Sequence, residues 1–287
     1  MERTRRYYLA LGYDNPYIWA EFDHVPFQLL RKPLEETKIG LVTTAAPYDD
    51  NLGDQGPGAL YNGAAKFYDV YAQPTDGEPD VRISHIAYDR MHTSAEDINT
   101  WFPLKALKGV AAEGKIGSLS ERFYGLPTNR SHTTTKEKDC PQLLNLLRED
   151  EVEVALLVPN CPVCHQSVSF AANHLENAGI PTVIMGCAKD IVEHAGVPRF
   201  LFSDFPLGNS AGKPHDTASQ QSTLAQALSL FANAKVARTT TQSPLVWSTD
   251  RSWKKDYSNP DLLSTEELAR RKREFDAQKR AARTSAK

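Results

Sequence analysis

Hydrophobic and polar positions along this chain fall into short blocks whose period changes repeatedly. Lys38-Ile-Gly-Leu-Val-Thr-Thr44 is a compact apolar run with β-branched residues, and it reads as a strand. Val81 to Ala87 alternates apolar and polar residues and reads as a second. Leu104, Leu107, Val110 and Ala111 recur at helical spacing, and Gly114 ends that helix. Lys115 to Leu119 is a further candidate strand. Cys140 to Glu149, with Leu143, Leu144, Leu146 and Leu147, is a helix. Val152 to Val158 is the strongest strand signal in the chain. Ser167 to Ala178 returns to the helical period and stops at Gly179, and Ile180 to Met185 is the next strand. Strands separated by single helices predict βαβ units. The expected fold is therefore α/β, a mostly parallel sheet with helices on both faces. Two Rossmann-like sub-domains, about 1–125 and 126–263, are expected within residues 1–263. A charged, exposed helical tail over 264–287 follows. The stretch 45–80, rich in Gly, Asp, Asn and Pro, is long enough for a lid or a partner surface.

Composition narrows the class. Hydrophobic residues make up 40% of the 287 and charged residues 24%, as in a globular protein in water. No apolar run approaches the roughly 20 residues of a membrane helix. The basic start is followed by no long apolar core, so no secretory signal is expected. The formal charge of -3 argues against nucleic acid as a partner. Residues 264–287 hold eight basic and four acidic side chains, +4, so the rest of the chain carries -7. Ser264-Thr-Glu-Glu267 is a capping-box pattern that starts this tail helix. The four cysteines, Cys140, Cys161, Cys164 and Cys187, are too few for a disulfide scaffold and suit a reducing cytoplasm.

In open α/β sheets, ligands bind beyond the carboxyl ends of the strands. Strand 152–158 leads there into Pro159-Asn160-Cys161-Pro162-Val163-Cys164-His165, immediately before a helix. Cys161 falls at the N-cap and Pro162 at the first helical position. Free amides at a helix start favour a thiolate, the nucleophilic form of cysteine. Cys164 is one turn on, within reach to close a disulfide, and His165 adds a titrating group. The letters allow four functional readings: a c-type haem attachment, a structural zinc site short of one ligand, a thioredoxin-like dithiol, and a nucleophilic thiol with Cys164 resolving the adduct. The missing export signal, the lack of a second C-x-x-C and the single helix before Gly179-Ile-Pro-Thr182 weigh against the first three.

Several segments in one order carry a family resemblance: Arg82-Ile-Ser-His-Ile-Ala-Tyr-Asp89, Asp97-Ile-Asn-Thr-Trp-Phe-Pro103, Gly114-Lys-Ile-Gly117, Val158-Pro-Asn-Cys161-Pro-Val-Cys164, and Pro198-Arg-Phe-Leu-Phe-Ser-Asp-Phe-Pro-Leu-Gly-Asn209. Together they resemble the selenoprotein B component of glycine, sarcosine and betaine reductases and its D-proline reductase relative. The likeness covers most of residues 20–260. It implies that Cys161 stands where the family has a selenocysteine, which attacks a carbon next to a carboxylate and displaces an amine. Cys164 matches a family cysteine, while Ser167 stands where a further one is expected. The pyruvoyl group of some members lies on another polypeptide. The resemblance thus implies a thiol-dependent reductase cleaving a carbon–nitrogen or other carbon–heteroatom bond, needing no cofactor bound by this chain but an external thiol or dithiol reductant.

Other candidate residues follow from position. His85 and His165 are candidate proton donors, and Arg82 a carboxylate clamp. Ser84, Asn160, Asp204 and Asn209 are candidate substrate contacts, the last two through a tight turn that could close over the sulfur. Cys140 reads as structural. Cys187 follows the next strand at Gly186. Together with Cys161 it resembles the facing cysteines of cofactor-independent aspartate/glutamate racemases, a second reading of the chain. A zinc- or redox-sensing binding protein is a third. No metal is expected in the enzyme readings. The expected partners are a small-molecule substrate, a partner subunit or dithiol protein and a second copy of the chain, with no membrane.

Overall fold

The computed structural model describes residues 1–13, 17–52, 65–85 and 87–285. The expected lid at 45–80 therefore lies partly outside the described residues. The strands are β1 (Lys38–Thr43), β2 (Ala46–Pro47), β3 (Tyr71–Pro74), β4 (Val81–Arg82), β5 (Ser118–Leu119), β6 (Arg122–Gly125), β7 (Val154–Val158), β8 (Thr182–Gly186), β9 (Arg199–Phe202) and β10 (Thr239–Gln242). The helices are α1 (Glu2–Ala10), α2 (Leu104–Ala112), α3 (His132–Thr134), α4 (Cys140–Glu149), α5 (Pro162–Asn177), α6 (Lys189–Ala195), α7 (Thr217–Asn233), α8 (Trp253–Asp256) and α9 (Thr265–Ser285). No described helix is long and apolar enough to cross a membrane.

Among the described residues, eight strands form one sheet in the order β10-β9-β8-β7-β1-β6-β3, with β5 also on β1. All pairings are parallel except the edge strand β3, which runs antiparallel to β6. Strands from both sides of position 125 share this sheet, so the halves read from the sequence are not two separate sheets. Among the described residues, the predicted strand 81–87 survives only as Val81–Arg82, paired with β2 in a separate antiparallel ribbon, and position 86 lies outside them. Main-chain pairing there ends before Ser84 and His85, whose side chains turn inward and are buried.

The alternation along β7 explains the two faces. Ala155 and Leu157 pack with Leu143, Leu147, Val168, Ala171 and Leu175 of α4 and α5. Val154, Leu156 and Val158 pack with Leu104 and Leu107 of α2 and Leu224, Ala227 and Phe231 of α7. A strand buried on both faces must be apolar at every position, which is why 152–158 reads so strongly. The chain leaves β1 toward β6 and β3 on one side and runs from β7 to β10 on the other. The boundary between β1 and β7 is thus the topological switch point, where a crevice opens at the carboxyl ends.

The tail differs from its expectation. Ser264 caps α9 by accepting the Glu267 amide at 3.1 Å, but the Glu267 carboxylate turns to Arg270 and Arg271 instead of completing the box. The helix is not simply exposed. Phe275 is fully buried, its ring 6.4 Å from that of Tyr8 and 6.0 Å from that of Tyr13, in one cluster with Cys161, Val163 and Cys164. The apolar stripe of Leu268 and Phe275 is short enough to be hidden by the surrounding charges in the sequence.

Burial of this size is expected to cost about 3 kcal/mol or more when removed. Phe275→Ala should lower the urea midpoint accordingly and speed alkylation of Cys161 in the folded protein. Unaltered stability and alkylation would show that α9 does not dock there.

Candidate active site

Strand β7 ends at Val158, and the Asn160 amide donates to the Thr44 hydroxyl at 3.1 Å, tying the ends of β7 and β1 together. Cys161 then takes extended backbone (φ -134, ψ 169) and caps α5: its Sγ accepts the Cys164 amide at 3.2 Å. Pro162 follows at the first helical position, where it lacks only an N–H that would go unpaired anyway. The two sulfurs lie 2.7 Å apart, with Thr128 Oγ1 3.2 Å from Cys164. One nitrogen of His85 falls with both sulfurs inside a cluster no wider than 4.8 Å. Three of the residues singled out in the sequence, Cys161, Cys164 and His85, are thus brought together.

Desolvation dominates the electrostatics. Burial pushes the Cys161 thiol well up, reinforced by its neighbour Cys164. Burial also works against ionising Cys164, but the Cys161 sulfhydryl, the His85 ring and the Thr128 hydroxyl outweigh it and hold Cys164 well below the usual thiol range. Ionising one sulfur opposes ionising the other, and the surroundings favour the charge on Cys164. A small cavity reaches Cys161 but not Cys164, and Tyr8, Lys66, Ser84, His85, Thr128, Arg130 and Val163 complete its described wall. Cys161 is the sulfur that faces the space.

His165 is not the proton donor that its place next to Cys164 suggests. Its ring is fully buried; Nδ1–H donates to the Cys161 carbonyl at 2.7 Å, while Nε2 accepts the amides of Cys187 and Ala188 at 2.9 and 3.2 Å. Both nitrogens are spent on backbone, and burial lowers the ring to about 4. Gly186 leaves it room: a Cβ there would stand 2.7 Å from Nε2. Arg82 is likewise engaged elsewhere, ion-paired with Asp80 and stacked on Tyr48 at 4.7 Å. Asp204 pairs with Lys254. The turn that follows it closes over Cys187, not over the paired sulfurs, through the Phe205 and Asn209 amides and with Ser210 Oγ 3.9 Å away. Asn209 spends its side chain on the Pro206 carbonyl at 2.9 Å. Cys187, pushed up to about 12 chiefly by burial, lies outside the cavity wall, so its thiol does not face Cys161 across it. Ser84 does reach the cavity. Asn160 is fully buried with its side-chain amide unpartnered.

Sequence reasoning missed Thr128, Arg130 and Lys66. Thr128 and Arg130 follow β6, a strand whose apolar run is too short to announce itself, so nothing marked them as lying at a carboxyl end. Lys66 sits in the loop 45–80 with no local signal. His85, Cys161 and Cys164 could offer three ligands to a soft metal ion. Two thiolates on one zinc, however, stand roughly 3.8 Å apart, so the pair would have to open by about 1 Å, with Arg130 and Lys66 repelling the cation.

A doubly covered, mostly parallel sheet with two buried thiols in contact at its switch point defines an α/β protein. Known proteins sharpen this. The chain is 29% identical over 143 residues to the D-proline reductase subunit gamma of Acetoanaerobium sticklandii, covering 50% of this chain and 59% of that one. It is 24% identical over 207 residues to the glycine reductase complex component B subunit gamma of Symbiobacterium thermophilum (71% and 48%). The sarcosine reductase complex component B subunit beta of Peptoclostridium acidaminophilum is 24% identical over 210 residues (69% and 46%). The chain spans about half the length of these curated relatives. No protein-family model matches it, and no solved structure matches it. The chain is thus similar to proteins named as components of glycine, sarcosine, betaine and D-proline reductases.

The His165 arrangement makes a pH prediction. A ring at about 4 when folded and about 6.5 when unfolded binds its proton more tightly in the unfolded chain. Stability is therefore full above pH 6.5 and is lost as pH falls from 6.5 toward 4, by up to about 3 kcal/mol. Urea titrations across that window should show this slope in the wild type and a shallower one in His165→Gln.

Proposed function

We propose that this chain performs dithiol-dependent reductive cleavage of a carbon–nitrogen or similar carbon–heteroatom bond in a small carboxylate-bearing substrate. The observation that carries this reading is the pair of sulfurs 2.7 Å apart at the start of α5, one facing a cavity and both beside His85. The names of the relatives support it, since glycine, sarcosine, betaine and proline all carry nitrogen on the carbon next to a carboxylate.

In this mechanism Cys161 passes its proton to Cys164 and attacks the carbon next to the carboxylate. A sulfur–carbon bond forms, the carbon–nitrogen bond breaks, and the departing nitrogen takes a proton from His85. His85 then removes the Cys164 proton. The Cys164 thiolate attacks the Cys161 sulfur, forming a disulfide and releasing the carbon, which takes that proton from His85. The substrate gains two electrons from the thiol pair and two protons, one from the pair and one from His85. An external thiol or dithiol protein restores the pair by exchange. His165 contributes by holding Cys161 at its cap, not by moving protons. A subunit partner is part of the proposal, because the relatives are named as subunits of complexes.

With dithiothreitol as reductant and N-substituted amino acids as candidate substrates, the wild type should release amine. Cys161→Ser should lower that release by about 10³-fold or more. Cys164→Ser should stop turnover yet leave a stoichiometric adduct on the Cys161 peptide by mass spectrometry. Unchanged release in Cys161→Ser would remove Cys161 from the chemistry.

A further inference from the structure

The mechanism above needs something to hold the substrate's carboxylate, and Arg82, the residue that the sequence suggests, is committed to Asp80. The wall around Cys161 offers a different answer. Two cationic side chains, Lys66 and Arg130, share it with Ser84, His85 and Thr128, and the described wall contains no acidic residue. The Ser84 hydroxyl and His85 Nδ1 are buried there without a hydrogen-bond partner, in residues only 3% and 8% exposed. Buried polar atoms left unpaired cost free energy that a bound polar ligand recovers.

Arg130 is held for this position. Its backbone is left-handed, at φ 55, a conformation that non-glycine residues adopt at a cost. Its guanidinium lies over the rings of Tyr8 at 4.9 Å and Phe275 at 5.4 Å, so α1 and α9 together form a rigid aromatic seat for it. Burial and the nearby Arg130 together depress Lys66 to about 8, the signature of two cations crowded into a poorly solvated space.

We infer that Lys66 and Arg130 form an anion pocket beside Cys161 that takes the carboxylate of the substrate, with Ser84 and His85 as additional donors. The inference rests on the proposed role of Cys161 as the sulfur that attacks. It names the substrate class by charge: one carboxylate, next to the reacting carbon, held by the two cations that line the space at Cys161. Phe275 is a positioning residue in this scheme, acting through Arg130.

The test uses the reduced full-length chain and two alkylating reagents of nearly equal size, iodoacetate and iodoacetamide. In both, the sulfur displaces iodide from a methylene carbon; only iodoacetate carries the carboxylate. Rates at Cys161 are followed by mass spectrometry of its peptide, with Cys161→Ser as the blank and glutathione as the free-thiol reference. The ratio of iodoacetate to iodoacetamide rates is expected to exceed that of glutathione by about tenfold, the worth of one charge-assisted hydrogen bond. Lys66→Gln and Arg130→Gln should each bring the ratio most of the way back, and Arg130→Lys should retain part of it. A general loss of structure would change both rates together and leave the ratio alone. Should Arg130→Gln fail to fold, Lys66→Gln carries the test. A wild-type ratio equal to that of glutathione, or one unmoved by Lys66→Gln, overturns the anion pocket, and Cys161 still reacting with iodoacetamide would leave its nucleophilic role standing. A Cys161 inert to both reagents overturns the two together.

Discussion

The site depends on one imidazole that does no chemistry. His165 spans the gap between two adjacent strands, giving its proton to the Cys161 carbonyl and receiving two amides from the loop after β8. Those three bonds fix the tautomer and lock the first turn of α5 onto the end of the neighbouring strand. Cys161 can then remain extended and cap the helix with sulfur in place of the usual hydroxyl or carboxylate oxygen. A sulfur is a poorer acceptor than oxygen, so the cap needs this outside support. The glycine at the end of β8 completes the device by leaving space for the ring.

Low dielectric then sets the charge state. Two thiols in contact and out of water cannot both ionise, because like charges at this separation repel strongly and neither is solvated. A single charge is affordable because a helix start, a hydroxyl, an imidazole and two cations surround it. The deeper sulfur holds the charge more readily, while the shallower one meets the cavity. Depth alone would put the charge on the shallower sulfur; the Cys161 sulfhydryl, the His85 ring and the Thr128 hydroxyl reverse that order.

The C-terminal helix joins this site to the periphery. Its charged surface faces outward, where Arg270 pairs with Glu267 and Glu274. Its buried ring seats Arg130 beside the sulfurs. Sequence distance conceals such a contact: residues near both ends of the chain, Tyr8 and Phe275, meet over a motif in its middle.

What the sequence alone determined is whatever depends on neighbours along the chain. The two-faced burial of β7, the strand-to-helix turn, the cysteine cap with Pro162 behind it and the three-residue spacing of the thiols are all local, as is the Ser264 cap. Its place at the end of the 81–87 run added His85 to them. What only the tertiary structure decided is which distant groups surround the sulfurs and which candidates are already occupied. Arg82 was lost to Asp80 and His165 to backbone amides, while the Asp204–Asn209 turn went to Cys187. Short strands such as β6 and β9 are readable only when their neighbours supply the hydrogen bonds, so Thr128 and Arg130 came into view only with the sheet. A side chain's chemistry is written in its type, but its availability is settled by what folds against it.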